Sequence, residues 1–426
     1  MKRNTLENFK KKAYLGDVNA MLDLSYCYHD GEVVSKNMRR AVYWARKAAE
    51  IGNPTAQRNV GVSYYYGDGV RKDEKKSFKW FKKAALNGDI YAQYYLARAY
   101  DWGEGTKKSV SQAVDWYKKA AKSKNVDAIA ALAECYNNGN GVTRSLKKYV
   151  ELYQQAADLG DDSCQTTLGV MYNGGEYFKQ DYKKSVEYYR KATRQDNKYA
   201  QSNLGLCYRY GDGVKQDYKK AFKWFKKAVS NDNKRALYYV AQCYRYGEGI
   251  RKNKKKAFEF YKKAAEHDFA DAIYELAEFY DDGEVVKKNK RKAIQLLKKS
   301  VKMKNSDAQC FLGACYHNGD GVRKSFRQSV ELYKKSAKQE NSTAQCNLGR
   351  CYLDGEGVKK DHKKAYEWFR KSALDNDDGQ YYLAICYLEG CGVRKNLKLA
   401  IKWLKKSSDG GNKDAIKELD RILKEK

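Results

Sequence analysis

The chain has a single proline, Pro54, in 426 residues. That excludes a Pro-rich linker between domains and, with only 32 Gly, a collagen-like chain. Four His, and no Cys/His/Asp cluster at metal-ligand spacing, argue against a metalloenzyme. Long apolar runs are lacking too. Charged residues make up 32% and mean hydropathy is −0.88, so no segment approaches a bilayer-spanning helix. The basic stretch Met1–Ala13 has no apolar core behind it, as a secretory signal requires. The expected location is therefore cytoplasmic, the host cytoplasm for a virus or an intracellular microbe. Acids are few, 53 against 85 Lys and Arg, a net charge of +32. Aromatics are plentiful at 14%, too many for a disordered chain. The eleven Cys are an odd number in a chain without an export signal, where reduced thiols are the default.

Length alone allows about three domains, but periodicity overrides it. Tyr recurs every 36 residues at Tyr28, Tyr64, Tyr100, Tyr136, Tyr172, Tyr208, Tyr244, Tyr280, Tyr316 and Tyr352, and once more at Tyr387 after a single deletion. Eight residues before each stands a small residue, such as Ala56, Cys164 or Gly379. Four before stands an aliphatic one, such as Leu24 or Val60, followed by another small one, such as Gly61 or Ala97. Such spacing marks one face of a helix, helix A. Three residues past each Tyr comes Gly, the residue a helix end needs to turn left-handed. Eight copies read G-x-G, as in Gly67-Asp68-Gly69.

An Asp, Asn or Ser N-cap, such as Asn37, Asp73 or Ser109, then opens helix B. Its expected core face is a small residue (Ala41, Ser77, Ala113), a bulky one three later (Trp44, Trp80, Trp116, Tyr188, Trp224, Phe260, Trp368, Trp403) and a small one four further on (Ala48, Ala84, Ala120). Tyr149 breaks the first small column. Residues 5–16 read as a lone helix B and residues 413–426 as a lone, charged helix A, a capping helix. Between them lie eleven repeats over 17–412. The whole chain, 1–426, reads as one solenoid domain, because each repeat buries its apolar face only against its neighbours.

Residues 56–85 carry the pattern nearly whole: Ala56, Val60, Gly61, Tyr64, Gly67, Gly69, Val70, Asp73, Lys76, Ser77, Trp80, Lys83, Ala84 and Ala85. This resembles the Sel1-like repeat family, relatives of tetratricopeptide repeats. The departures are local. Gly31-Glu-Val33 and Gly283-Glu-Val285 lack the second Gly, and Gly175-Glu-Tyr-Phe178 replaces the G-x-G-V turn, so those turns are expected to differ. The resemblance implies an all-α, right-handed superhelical solenoid used as an adaptor or scaffold, with helix A lining the concave groove and helix B the outer wall. It carries no catalytic motif and implies no cofactor. The Lys, Asn and Tyr content suits an AT-rich genome, which fits members from amoebal giant viruses or intracellular bacteria.

No motif points to catalysis. G-x-G as a phosphate cradle would need a preceding strand, yet here it lies between helices. Seven Cys (Cys27, Cys135, Cys207, Cys243, Cys315, Cys351, Cys386) share one column with Ala and Ser, a small core site. Cys391 sits in a turn and is the thiol to test for reactivity. His29 and His317 share a column eight repeats apart, too far to cooperate.

The cations concentrate in helix B doublets such as Lys75-Lys76, Lys82-Lys83 and Lys226-Lys227. The groove columns are taken as six, five and two before each Tyr, and one and two after it. They hold five Arg (Arg58, Arg98, Arg209, Arg245, Arg350) and ten acids (Asp23, Asp30, Asp101, Glu134, Glu275, Glu278, Asp281, Asp282, Asp354, Glu389), a balance of −5. A nucleic-acid-binding solenoid is expected to put cations on its gripping surface. The same columns collect Tyr65, Tyr66, Tyr94, Tyr95 and Trp102 in repeats two and three. In repeats six to eight they collect Tyr210, Tyr238, Tyr239, Tyr246 and Tyr274. These ten are the candidate partner-binding residues, aromatics with polar tips of the kind that dominate protein interfaces. The expectation is a non-enzymatic scaffold that holds a protein client in this groove. The alternative is an electrostatic binder of nucleic acid or anionic membrane through the Lys-rich helix B face. Client identity and oligomeric state are not written in the sequence.

Overall fold

The computed structural model describes residues 2–175 and 177–424. Glu176, in the departing turn, and the last two residues of the expected capping helix lie outside them. The described residues form 24 α-helices and no strand. They fall into two compact units, Met1–Gln216 and Asp217–Lys426. The lone helices at the ends are Lys2–Tyr14 and Lys413–Lys424. Both are in register, with Ala13 and Ala415 buried.

Repeat two shows how the sequence writes each pair. Helix A, Pro54–Tyr66, opens with the Asn53 side chain accepting from the Ala56 N–H, and Pro54 in the first turn has no N–H to leave unpaired. It closes at Gly67, left-handed at φ 85°, whose N–H bonds to Ser63 O. Helix B, Glu74–Leu86, opens at Asp73, whose carboxylate accepts from the Lys76 N–H. Such a cap stabilises a helix by about 1 kcal/mol. The turn is fastened by the Asp73 N–H donating to Tyr64 O at 2.9 Å. The same bond recurs from Asn37 to Tyr28, Ser109 to Tyr100 and Asn396 to Tyr387. The repeating Tyr thus holds the turn with its carbonyl, while its ring lies under a cation from helix B, Lys76 over Tyr64 and Lys184 over Tyr172.

Between the helices the expected small columns meet. Ala56, Val60 and Gly61 face Ser77, Phe81 and Ala84, all buried, and Ser77 Oγ donates to Gly61 O at 2.8 Å. The bulky core column, however, stands one residue beyond the expected one. Phe81, Tyr117, Tyr189, Phe225, Tyr261 and Phe369 are fully buried. Trp80, Trp116, Tyr188, Trp224, Phe260, Trp368 and Trp403 are only partly so, and Trp44 alone is buried. Positions three and four past a small residue both lie near its face. The one four along points at helix A, where Gly61 leaves room for it: a Cβ on Gly61 would stand 2.7 Å from the Phe81 ring.

The second Gly of G-x-G answers a different need. All eight are left-handed, and a Cβ on Gly69 would stand 2.3 Å from Met38 O in the preceding helix B. Where Val33 and Val285 replace it, the backbone does not enter the left-handed region, so those turns do differ. The return turn from helix B to the next helix A also uses one left-handed residue, for example Gly88, Lys124, Asp196 or Glu340. The turn before repeat eleven, where the deletion falls, has none between Ser372 and Asn376. The shortened link presses the helices together, and a Cβ at Gly379 would meet Ser372 Oγ at 2.3 Å. This explains Gly in a column that otherwise holds Ala or Cys.

Candidate functional site

The ten aromatic candidates on helix A divide into two kinds. Six are half-buried and pack between helices. Tyr95 stacks on Phe81 at 4.9 Å and Tyr239 on Phe225 at 5.0 Å. Tyr94 lies beside Tyr117, Tyr238 beside Tyr261, and Tyr274 meets Phe311 edge-on. Tyr65 donates to Glu104 at 3.0 Å and accepts from Arg98 at 2.7 Å. Burial holds the Tyr65, Tyr94, Tyr95 and Tyr274 phenols above their usual range, so they remain neutral hydroxyls. The other four, all two residues past the repeating Tyr, are exposed: Tyr66 at 60%, Trp102 at 73%, Tyr210 at 63% and Tyr246 at 54%.

The five arginines of these columns share one environment. Each guanidinium lies over a ring: Arg58 over Tyr91, Arg98 over Tyr65, Arg209 over Tyr210, Arg245 over Tyr246 and Phe279, and Arg350 over Tyr382, at 5.2–5.7 Å. Carboxylates join the rings at Arg58, Arg98 and Arg245. Arg58 pairs with Asp89 at 3.1 Å, Arg98 lies 3.8 Å from Glu104, and Arg245 pairs with Glu275 and, at 2.9 Å, with Glu278. The Arg58 and Arg245 pairs tie one helix A to the next, while Arg98 pairs within its own repeat and reaches the preceding one through Tyr65.

In the second unit, a cavity of about 340 Å³ opens on the helix A side of repeats eight to ten. Tyr274, Glu278, Asp307, Phe311 and Asn347 are among its lining. Asp307 stands nine residues before its repeating Tyr, outside the columns the sequence singled out. Its signal was the matching acids at Asp127 and Asp271.

Helix B carries the lysines. Lys83, Lys119, Lys227, Lys371 and Lys406 place their ammonium groups over Trp80, Trp116, Trp224, Trp368 and Trp403 at 4.0–5.7 Å. The partly covered Trp column therefore presents charge rather than bare ring.

The thiols are poor nucleophiles. Burial pushes Cys135, Cys315 and Cys351 up to about 11, and Cys207, Cys310, Cys346 and Cys386 up to about 12. Cys391, in its turn, is partly exposed, and its thiol is also raised, by partial burial and by the Glu389 carboxylate 3.6 Å away. His29 lies 2.7 Å from Asp30, and His317 lies 2.7 Å from Glu356. Among the described residues no group of three or more His, Cys, Asp or Glu could hold a metal ion. Among them also, no helix is long and apolar enough to cross a membrane.

Stacked helix pairs with a shared turn chemistry define a helix-turn-helix repeat protein. Its family follows from comparison. The Sel1 repeat model matches eleven times, at residues 18–53, 54–89, 90–125, 126–161, 163–197, 198–233, 234–269, 270–305, 306–341, 342–377 and 377–412, so the chain belongs to the Sel1 repeat family. Among solved structures it is similar to c5321, described as a protective antigen of uropathogenic Escherichia coli with an SLR fold. That match has 33% identity and a TM-score of 0.79, covering 99% of this chain and 90% of that one. A Sel1 repeat protein from Oxalobacter formigenes is 29% identical with a TM-score of 0.53, over 58% of this chain and 99% of that one. No curated protein matches the chain.

Proposed function

We propose that the chain is a non-enzymatic scaffold that binds a segment of another protein along its helix A face, the groove of the family's fold. One observation carries this reading. Tyr66 and Trp102 occupy the same position in adjacent repeats of the first unit, and both are exposed beyond half. Large exposed aromatics in register form a surface that gains by being covered. Tyr210 and Tyr246 repeat the feature in repeats six and seven. Helix A's acid excess favours a client segment that is basic as well as apolar.

The test is affinity capture from the native host cell with the chain and its Tyr66→Ala/Trp102→Ala variant. The reading expects at least one partner to be lost from the variant while helicity by circular dichroism stays unchanged. An unchanged partner set overturns it.

A second reading is favoured by the lysines over the Trp column. It makes helix B a polyanion surface. It expects filter binding of nucleic acid that falls steeply with salt and ignores the Tyr66 and Trp102 changes.

A further inference from the structure

We infer that the cavity of repeats eight to ten is a socket for an arginine side chain of the bound segment. The inference rests on the helix A reading above and names the chemistry one part of that face selects.

The chain shows what its helix A face does with arginine. Arg58, Arg98 and Arg245 each sit against an aromatic ring with a carboxylate beside it. The cavity offers the same two ingredients. Tyr274 and Phe311 form an edge-to-face pair, 6.3 Å between centroids, and Glu278 and Asp307 line the same space. The groove columns of repeats eight and nine, however, contain no Arg or Lys. Glu278 is already engaged, accepting from Tyr274 Oη at 2.7 Å and from Arg245 at 2.9 Å. Lys290 lies over Phe311 at 5.9 Å and is held by Asp281 and Asp320.

Asp307 is the group left over. It stands at the rim with its carboxyl partly covered, takes one hydrogen bond from Asn341 Nδ2 at 2.8 Å, and has no cation within ion-pair distance among the described residues. Loss of hydration, with the charges of Asp271 and Glu278 nearby, holds its carboxyl above the usual range. A cation placed there relieves that repulsion. A planar guanidinium suits the site better than an ammonium, because it can lie on the Tyr274 ring while its edge meets Asp307. Asn347 also lines the cavity and carries an amide oxygen that a remaining N–H can meet.

The probe is a blocked pentapeptide, acetyl-Ala-Ala-Arg-Ala-Ala-amide, titrated into the full chain with methyl resonances of Ala314 and Thr343 as reporters. Both residues line the cavity. The expected result is saturable shifts at these methyls, with affinity about threefold weaker in Asp307→Asn, as for an exposed ion pair. In Asp307→Lys the shifts should disappear. Asparagine can still accept from Asn341, so the first variant keeps the local packing. No shift with the arginine peptide overturns the inference. So does equal binding of its lysine or glutamine counterpart, or unchanged affinity in Asp307→Lys. Matching shifts from calcium chloride alone reassign the cavity to an inorganic cation and also overturn it. Because the probe is a single side chain, failure here leaves the Tyr66 and Trp102 capture result standing, and the reverse holds too.

Discussion

The ring of Tyr95 lies on that of Phe81, centroids 4.9 Å apart and planes within 10° of parallel. Tyr95 comes from helix A of repeat three and Phe81 from helix B of repeat two, so the stack ties neighbouring repeats. Tyr95→Ala should destabilise the fold by about 2 kcal/mol, from lost burial and lost ring contact. Tyr66→Ala, exposed beside it in the fold, should change stability by no more than about 0.5 kcal/mol. Urea unfolding followed by circular dichroism separates the two, and comparable losses would contradict the division of the ten aromatics.

Gly69 and Gly88 are both left-handed, at φ 71° and 88°, but only Gly69 is crowded. Gly88→Ala should cost about 1 kcal/mol of backbone strain. Gly69→Ala adds a clash with Met38 O and should cost clearly more. Paired thermal melts check the order.

Thiol alkylation should be slow at neutral pH. A Cys135 pKa raised to about 11 leaves little thiolate at pH 8. Iodoacetamide labelling followed by mass spectrometry should mark the partly exposed Cys27 and Cys391 before the nine buried cysteines. Rates should climb above pH 10. Rapid labelling of Cys207 at pH 7 would contradict the burial.

Asp73 is held below the ordinary carboxylate value by the Lys76 N–H and then by its ammonium. A lowered folded pKa stabilises above the unfolded value, and that contribution is lost as pH falls through the folded one. Asp73→Asn keeps an N-cap acceptor and removes only the charge. The wild-type advantage over this variant should therefore exist at pH 7 and vanish at strongly acid pH. Denaturation midpoints across a pH series measure it.

Much of this was readable from residue order. Tyr, Gly and the N-cap at fixed spacing located each helix pair and both turns. The choice between Trp80 and Phe81 as core residue was not readable, because helical geometry brings both near Ser77. Contact with Gly61 decides it, and that is a property of two helices together. The aromatic candidates were found by column, but exposure depends on neighbours. Tyr94 and Tyr95 lie against the buried rings of Tyr117 and Phe81, while Tyr66, edge-on to Tyr65, and Trp102 stay exposed. Asp307 escaped notice because its column holds mixed residues, including Thr55, Tyr91 and Arg235.

One buried amide has a consequence for how such a chain changes size. Gln57 donates to Ala49 O at 3.1 Å, in the helix before its own, and accepts from Asn87 at 3.0 Å, at the end of the helix after it. Gln165 makes the same two links, to Ala157 O and from Gln195. A cut inside this tie strands a polar group in the dark, at a penalty of about 1–3 kcal/mol. Growth and shrinkage of the molecule are therefore quantised: a lineage can gain or shed a whole period far more cheaply than any fraction of one.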